Sequence, residues 1–95
     1  MGVEFEWDAV KAKYNKATHD IDFREALTVF ADPLARIFED EEHSEEEPRE
    51  IIIGRSVKGR LILACFTVRD KRIRIISARK ATPLERKDYE ENVGF

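Results

Sequence analysis

Apolar and polar positions divide the chain into two unlike halves. Glu4-Phe5-Glu6-Trp7 alternates polar and apolar, which predicts a short strand. Asp8 then caps a helix of about a dozen residues, with Val10, Tyr14 and Ala17 at i, i+4 and i+7 as its buried stripe. Trp7 reads as a core residue or as a staple at the start of that helix. After a break near His19-Asp20, Asp22-Phe23-Arg24-Glu25 has the form of a capping box and opens a second helix. Phe23, Ala26, Leu27 and Phe30 give that helix an apolar face, and Asp32-Pro33 ends it, since a residue before proline is pushed out of the helical region.

Ala35–Phe38 reads as a strand and the acidic run after it as a loop. Three β-branched runs follow: Glu50–Val57, Leu61–Val68 and Ile73–Ala78. Lys58-Gly59 is suited to a two-residue hairpin loop, and Arg69-Asp70-Lys71 makes the next short link, so these strands pair antiparallel. Leu61–Phe66 is apolar at both parities, as in a central strand covered on both faces. Gly54 marks a bulge or a close backbone approach. Thr82-Pro83-Leu84-Glu85 opens a third, mostly polar helix with a threonine cap, a first-turn proline and a glutamate three residues on; Leu84, Tyr89 and Val93 are its packing residues. The expected fold is a single α+β domain over residues 1–95: an antiparallel sheet of about five strands, two N-terminal helices on one face and a short C-terminal helix.

Composition narrows the function. A chain of 95 residues holds one modest core, which excludes large barrels and dinucleotide-binding folds. At 39% charged residues, much of the surface is charge. One cysteine, Cys65, makes no internal disulfide and no cysteine-pair zinc site, which fits a reducing, cytoplasmic location; in mid-strand it reads as an inert core thiol. The N-terminus has neither the apolar run of a signal peptide nor a myristoylation signal, and the longest apolar run, Leu61–Phe66, is too short to span a membrane.

The net charge of −3 hides an asymmetry. Residues 1–47 carry 5 Lys/Arg against 14 Asp/Glu, and residues 48–95 carry 12 against 6. The segment 49–80 alone has 10 basic and 2 acidic residues, enough local density for an RNA or acidic partner despite the low overall charge. The acidic run 39–47 has no glycine turn and no staggered ligand spacing, so it reads as a solvated loop and not a calcium site.

Several residues match a known family: Trp7-Asp8, Lys11, Asn15, His19, Phe23, Glu25-Ala26 and Asp32-Pro33, then His43-Ser44 before Arg49, Ile53-Gly54, Gly59-Arg60, and above all Arg74-Ile75-Ile76-Ser77-Ala78-Arg79-Lys80-Ala81 with Glu85-Arg86 and Tyr89. From about Phe5 to Tyr89 the chain resembles the BrnT toxins of bacterial type II toxin–antitoxin systems. Thr18-His19-Asp20 stands where that family usually has Lys-His-Gly. The resemblance implies a RelE-like fold, a ribonuclease that inhibits translation, and neutralisation by a BrnA-type antitoxin with a ribbon-helix-helix domain. Operator DNA would then be met only through the antitoxin.

RNA cleavage through the 2′-hydroxyl needs a base, an acid and cations at the phosphorane, and no metal or other cofactor. Arginine suits the last task because it is always charged and grips phosphate oxygens bidentately. The candidate catalytic residues are Arg79, Lys80, His19 and Arg60; Arg74, Arg55 and Tyr89 are candidate RNA or phosphate contacts. Arg79 and Lys80 at the strand end are the stronger joint pair. Arg74 and Arg79 differ in parity and share a face only if the strand bends. A free imidazole titrates at roughly pH 6.5, suiting His19, and secondarily His43, to proton transfer. Each has a structural alternative: solvated strand-end charges, a histidine at a helix C-terminus, a packed Tyr89, and Glu85 as a capping acid. A catalytically inactive module with the same fold, binding antitoxin or nucleic acid, is the alternative function. A small-molecule enzyme finds no glycine-rich phosphate loop or nucleophile–base motif.

Overall fold

Two alternating-face sheet strands and a polar clamp, not the apolar stripe of the first helix, decide how the N-terminal half packs. A computed structural model describes residues 3–41 and 47–92, leaving His43, Ser44 and Val93 outside the described residues. The elements are β1 (Glu4–Trp7), α1 (Ala9–His19), α2 (Phe23–Ala26) running on as a 3-10 turn (Leu27–Ala31), β2 (Arg36–Glu39), β3 (Glu50–Arg55), β4 (Leu61–Arg69), β5 (Arg72–Lys80) and α3 (Pro83–Asn92). The five strands form one sheet in the order β1-β5-β4-β3-β2. The sheet is mixed, which corrects the all-antiparallel expectation: β1 runs parallel to β5, with Phe5 opposite Ile73 and Trp7 opposite Ile75. Short links dictate antiparallel pairing only among β3, β4 and β5. No short link constrains β1, because a long stretch of chain separates it from β5.

One face carries the main core. Ile52, Ile62, Ala64, Phe66, Ile75 and Ala78 meet Ile21, Phe23, Ala26 and Val29 from the helical layer. Edge-on aromatic contacts join Phe5 to Phe30, Phe30 to Phe66 and Trp7 to Phe23. The helix α1 is rotated from its expected setting. Val10 and Tyr14 are 76% and 70% exposed, while Asn15 is buried at 4%. Ala12, Asn15 and His19 share the inward face at helical spacing. The reason is a hydrogen-bonding demand: β1 covers only Arg72–Ile75, so the outer edge of β5 beyond that point lacks a strand. Asn15 supplies the missing partner. Its Nδ2 donates to the carbonyls of Ala78 (2.9 Å) and Ile21 (3.0 Å), and its Oδ1 accepts from the Ala78 N–H (3.0 Å).

The caps at Asp8 and Asp22 follow the sequence, whereas the second helix and the β3–β4 turn depart from it. The Asp8 carboxylate accepts from the Lys11 N–H, and Asp20, at φ 57°, closes α1 in the left-handed region. Asp22 accepts from the Arg24 N–H, but Glu25 leaves the capping box for a buried ion pair. The expected second helix is a single α-helical turn that tightens into 3-10 geometry before Asp32. The β3–β4 loop is longer than two residues: the last ladder pair is Arg55–Leu61, and the Ser56 hydroxyl organises the turn, accepting from the Lys58 N–H. Asp70 and Lys71, with φ of 52° and 66°, form a two-residue turn of the type whose twist matches a hairpin.

Among the described residues, α3 covers one end of the opposite face. Tyr89 of α3 packs on Ile53, Leu61 and Leu63, and its hydroxyl donates to Asp32 Oδ2 at 2.7 Å. Burial pushes the Asp32 carboxyl up, but donors from Arg55 N–H, Leu34 N–H and Tyr89 outweigh it and hold it below its ordinary value. Gly54 lets the segment bearing Asp32 lie directly on β3. A Cβ there would stand 2.9 Å from Val29 Cγ1 and 3.0 Å from Ala35 Cβ. Gly54→Ala is therefore expected to lower the unfolding free energy by about 1–3 kcal/mol, read by urea denaturation.

Candidate active site

The strand β5 changes its facing midway. Phe66 pairs with Ile75 but Cys65 pairs with Ser77, so Ile76 is an extra residue, a bulge. Beyond it the alternation resumes one step out of phase. Ser77 and Arg79 consequently face the same side as Arg74, the open face of the sheet. Lys80, opposite Ile62, faces the helical side. Neighbours in sequence, Arg79 and Lys80 thus diverge.

On the open face lies a cleft of about 240 Å³. Its lining includes Ile51, Leu63 and Cys65, and His19, Asp40, Arg49, Ser77 and Arg79 bring the polar groups to it. The Asn15 clamp explains the presence of His19, since it pins the end of α1 beside Ala78. Asp40 and Arg49 come from the two ends of the acidic loop, where the Asp40 N–H donates to the Arg49 carbonyl at 2.9 Å. Neither is a candidate site residue from sequence, although Arg49 stands among the residues that match the family; their positions flanking a loop between two strands were the available signal. The Cys65 thiol is no nucleophile. Burial first, then the nearby Asp40 carboxylate, push it up to about 11.

Arg79 is held by Glu85 in a bidentate pair, Nη1 to Oε1 and Nη2 to Oε2, both 2.8 Å. Glu85 also closes the capping box of α3: its Oε1 accepts from the Thr82 N–H at 2.9 Å, and its own N–H donates to Thr82 Oγ1 at 3.2 Å. The Arg79 contact first, with the Thr82 donors adding to it against burial, holds the Glu85 carboxyl down at about 2.

The other candidates lie elsewhere. Arg60 reaches from the β3–β4 loop to the helical layer, with Nε 2.9 Å from Glu25 Oε2 and Nη2 paired with Oε1 of the same carboxylate. Glu25, 5% exposed, also accepts from Ser56 Oγ. Its carboxyl is lowered, chiefly by the Arg60 hydrogen bond. Arg60 therefore fastens the loop to α2. Arg55 lies over the Tyr89 ring at 5.9 Å and pairs with Glu90. Tyr89 is 4% exposed, its ring covered and its hydroxyl engaged, which leaves no face for a base. Arg74 shares the open face but pairs with Glu6 at 3.0 Å.

These pairings resolve the charge asymmetry. Arg69, Arg72 and Arg74 meet Glu47, Glu4 and Glu6, so the basic segment is matched by acids from the first half of the chain. Ion pairs at a protein surface hold little energy. Among the described residues, no cluster of three or more His, Cys, Asp or Glu is placed to hold a metal ion, and no helix is long and apolar enough to cross a membrane.

A mixed five-stranded sheet with His19, Arg49 and Arg79 around a cleft on one face defines a small α+β protein. The sequence matches the family model of the ribonuclease toxin BrnT of type II toxin–antitoxin systems over residues 7–85. The chain belongs to that family, and a toxin of such a system implies an antitoxin partner. Its fold is similar to the crystal structure of the Brucella abortus ribonuclease toxin BrnT, at a TM-score of 0.65 and 23% identity, covering 85% of this chain and 99% of that one. No curated protein matches the sequence.

The low Glu85 carboxyl has a consequence in acid. Its folded-state value of about 2 lies below the ordinary 4.5, so its stabilising contribution is complete above about 4.5 and is lost as pH falls toward 2. Thermal midpoints of the parent and Glu85→Gln between pH 2 and 7 should differ most at neutral pH and converge over that window. A constant gap would contradict the assignment.

Proposed function

We propose that the chain is a metal-independent endoribonuclease of RelE-like build, which inhibits translation by cutting RNA and is neutralised by a BrnA-type ribbon-helix-helix antitoxin. The antitoxin complex is then the species that meets operator DNA. The observation that supports this most directly is the shared cleft of His19 and Arg79, an exposed imidazole and an oriented guanidinium on one polar rim. The 2′-hydroxyl attacks its own phosphodiester, forming a 2′,3′-cyclic phosphate and releasing the 5′-oxygen. His19 serves in proton transfer, and Arg79, aided by Arg49 across the rim, stabilises the charge that develops on the phosphorane oxygens. Lys80 and Arg60, on the other side of the sheet, lie outside this chemistry in the proposed reading.

A catalytically inactive binding module is favoured by one observation: Glu85 already meets the charge of Arg79. The same assay separates the two. End-labelled RNA incubated with the purified chain in EDTA should be cut to 2′,3′-cyclic ends. Arg79→Ala should lower the rate by about 100-fold or more and restore growth to arrested cells. His19→Ala should cost at least about 100-fold, and Lys80→Ala less than about tenfold. Undiminished cutting by the first two variants would remove them from the site, and no cutting by the parent would favour the binding module.

A further inference from the structure

We propose that Glu85 is a positioning residue for Arg79, holding one edge of the guanidinium so that the other is presented to a phosphate in the cleft; this rests on the ribonuclease reading above. The hydrogen-bond geometry supplies the argument. Glu85 takes the end of the guanidinium, one hydrogen from each terminal nitrogen. The remaining Nη1 hydrogen faces the Lys80 carbonyl at 3.3 Å. That leaves Nε–H and the second Nη2 hydrogen, which lie on one edge of the planar group. Two parallel donors on one edge match two oxygens of a phosphodiester.

Glu85 is itself anchored. Both its backbone N–H and its Oε1 bond to Thr82, so the carboxylate cannot rotate without breaking the α3 cap. The helix is fixed in turn by the buried Tyr89 ring and its bond to Asp32. A line of contacts therefore runs from Asp32 through Tyr89 and α3 to Glu85 and the Arg79 fork. Glu85 is poorly suited to be the general base. Its carboxyl is held at about 2, far from the value that favours proton abstraction near neutral pH, and both its oxygens are turned to Arg79.

A carboxylate beside a phosphate site repels the substrate, so positioning and affinity pull in opposite directions here. That contrast makes the role testable. Glutamine also fits the third position of a capping box, so Glu85→Gln retains the α3 cap while breaking the charged fork. With RNA as substrate, kcat should fall by about 10–100-fold while KM stays level or drops. A merely structural role would lower the active fraction and leave KM and per-molecule turnover unchanged.

A second readout does not depend on cleavage. In the parent, titration with a 3′-nucleoside monophosphate should shift the Arg79 Nε–H resonance, which exchanges slowly with water. In Glu85→Gln that resonance should exchange faster and shift less. Unaltered kcat in Glu85→Gln, beside a disabled Arg79→Ala, would overturn the proposal, as would an unchanged Nε–H response. If the parent cuts no RNA, the ribonuclease reading falls, and the resonance alone decides whether Glu85 orients Arg79 toward an anion.

Discussion

The outer edge of β5 sets the constraint on which the rest of the molecule depends. A strand whose backbone groups face neither water nor a neighbour must find partners, because each buried unpaired group costs about 1–3 kcal/mol. The strand β1 ends at Trp7, opposite Ile75, and Asn15 takes over by pairing with both the N–H and the C=O of Ala78. One side-chain amide thus stands in for a residue of an adjoining strand. It also turns the inner face of α1 toward the sheet, bringing His19 to the cleft rim. The same amide holds the Ile21 carbonyl, which fixes where the chain turns into α2.

Against that fixed edge, the bulge at Ile76 and the partial cover by α3 produce the site. Without the bulge Arg79 would point into the helical layer, as Lys80 does. Tyr89, docked on Ile53, Leu61 and Leu63, fixes the helix whose first turn carries Glu85. The open face is therefore an apolar floor with polar and charged groups delivered from four separate elements: α1, the β2–β3 loop, β5 and α3. Most other arginines of the basic segment are matched by acids, so the local charge pattern of the cleft, more than the net basic surplus of residues 49–80, is what an RNA strand would meet.

The strands and caps were legible in the sequence because they depend on local chemistry. The β-branched runs between Glu50 and Ala78, and the acceptors Asp8, Asp22 and Thr82, announce themselves by residue type. Gly54 likewise signalled the close approach that Val29 and Ala35 make on β3. What the pattern concealed depends on pairing at long range. The parallel β1–β5 contact has no local mark. The bulge contains no glycine to betray it, so Arg74 and Arg79 appeared to face apart while Arg79 and Lys80 appeared to act together. The apolar stripe of Val10, Tyr14 and Ala17 misled because Asn15, a polar residue, had the stronger claim to the buried side. Of the site, His19 and Arg79 were readable, with help from the family resemblance. Asp40 and Arg49 were not, since only the fold folds the loop ends over the cleft.

The central claim is that RNA binds across the open sheet face at the His19–Arg79 cleft. Its most direct test is a chemical-shift map of the chain with a short RNA blocked against cleavage by 2′-deoxy substitution. The account predicts perturbations centred on His19, Arg49, Ser77 and Arg79, with Lys58, Arg60 and Lys80 little changed. Perturbations centred on the latter three, with the cleft unaffected, would place RNA on the opposite side of the sheet and contradict it.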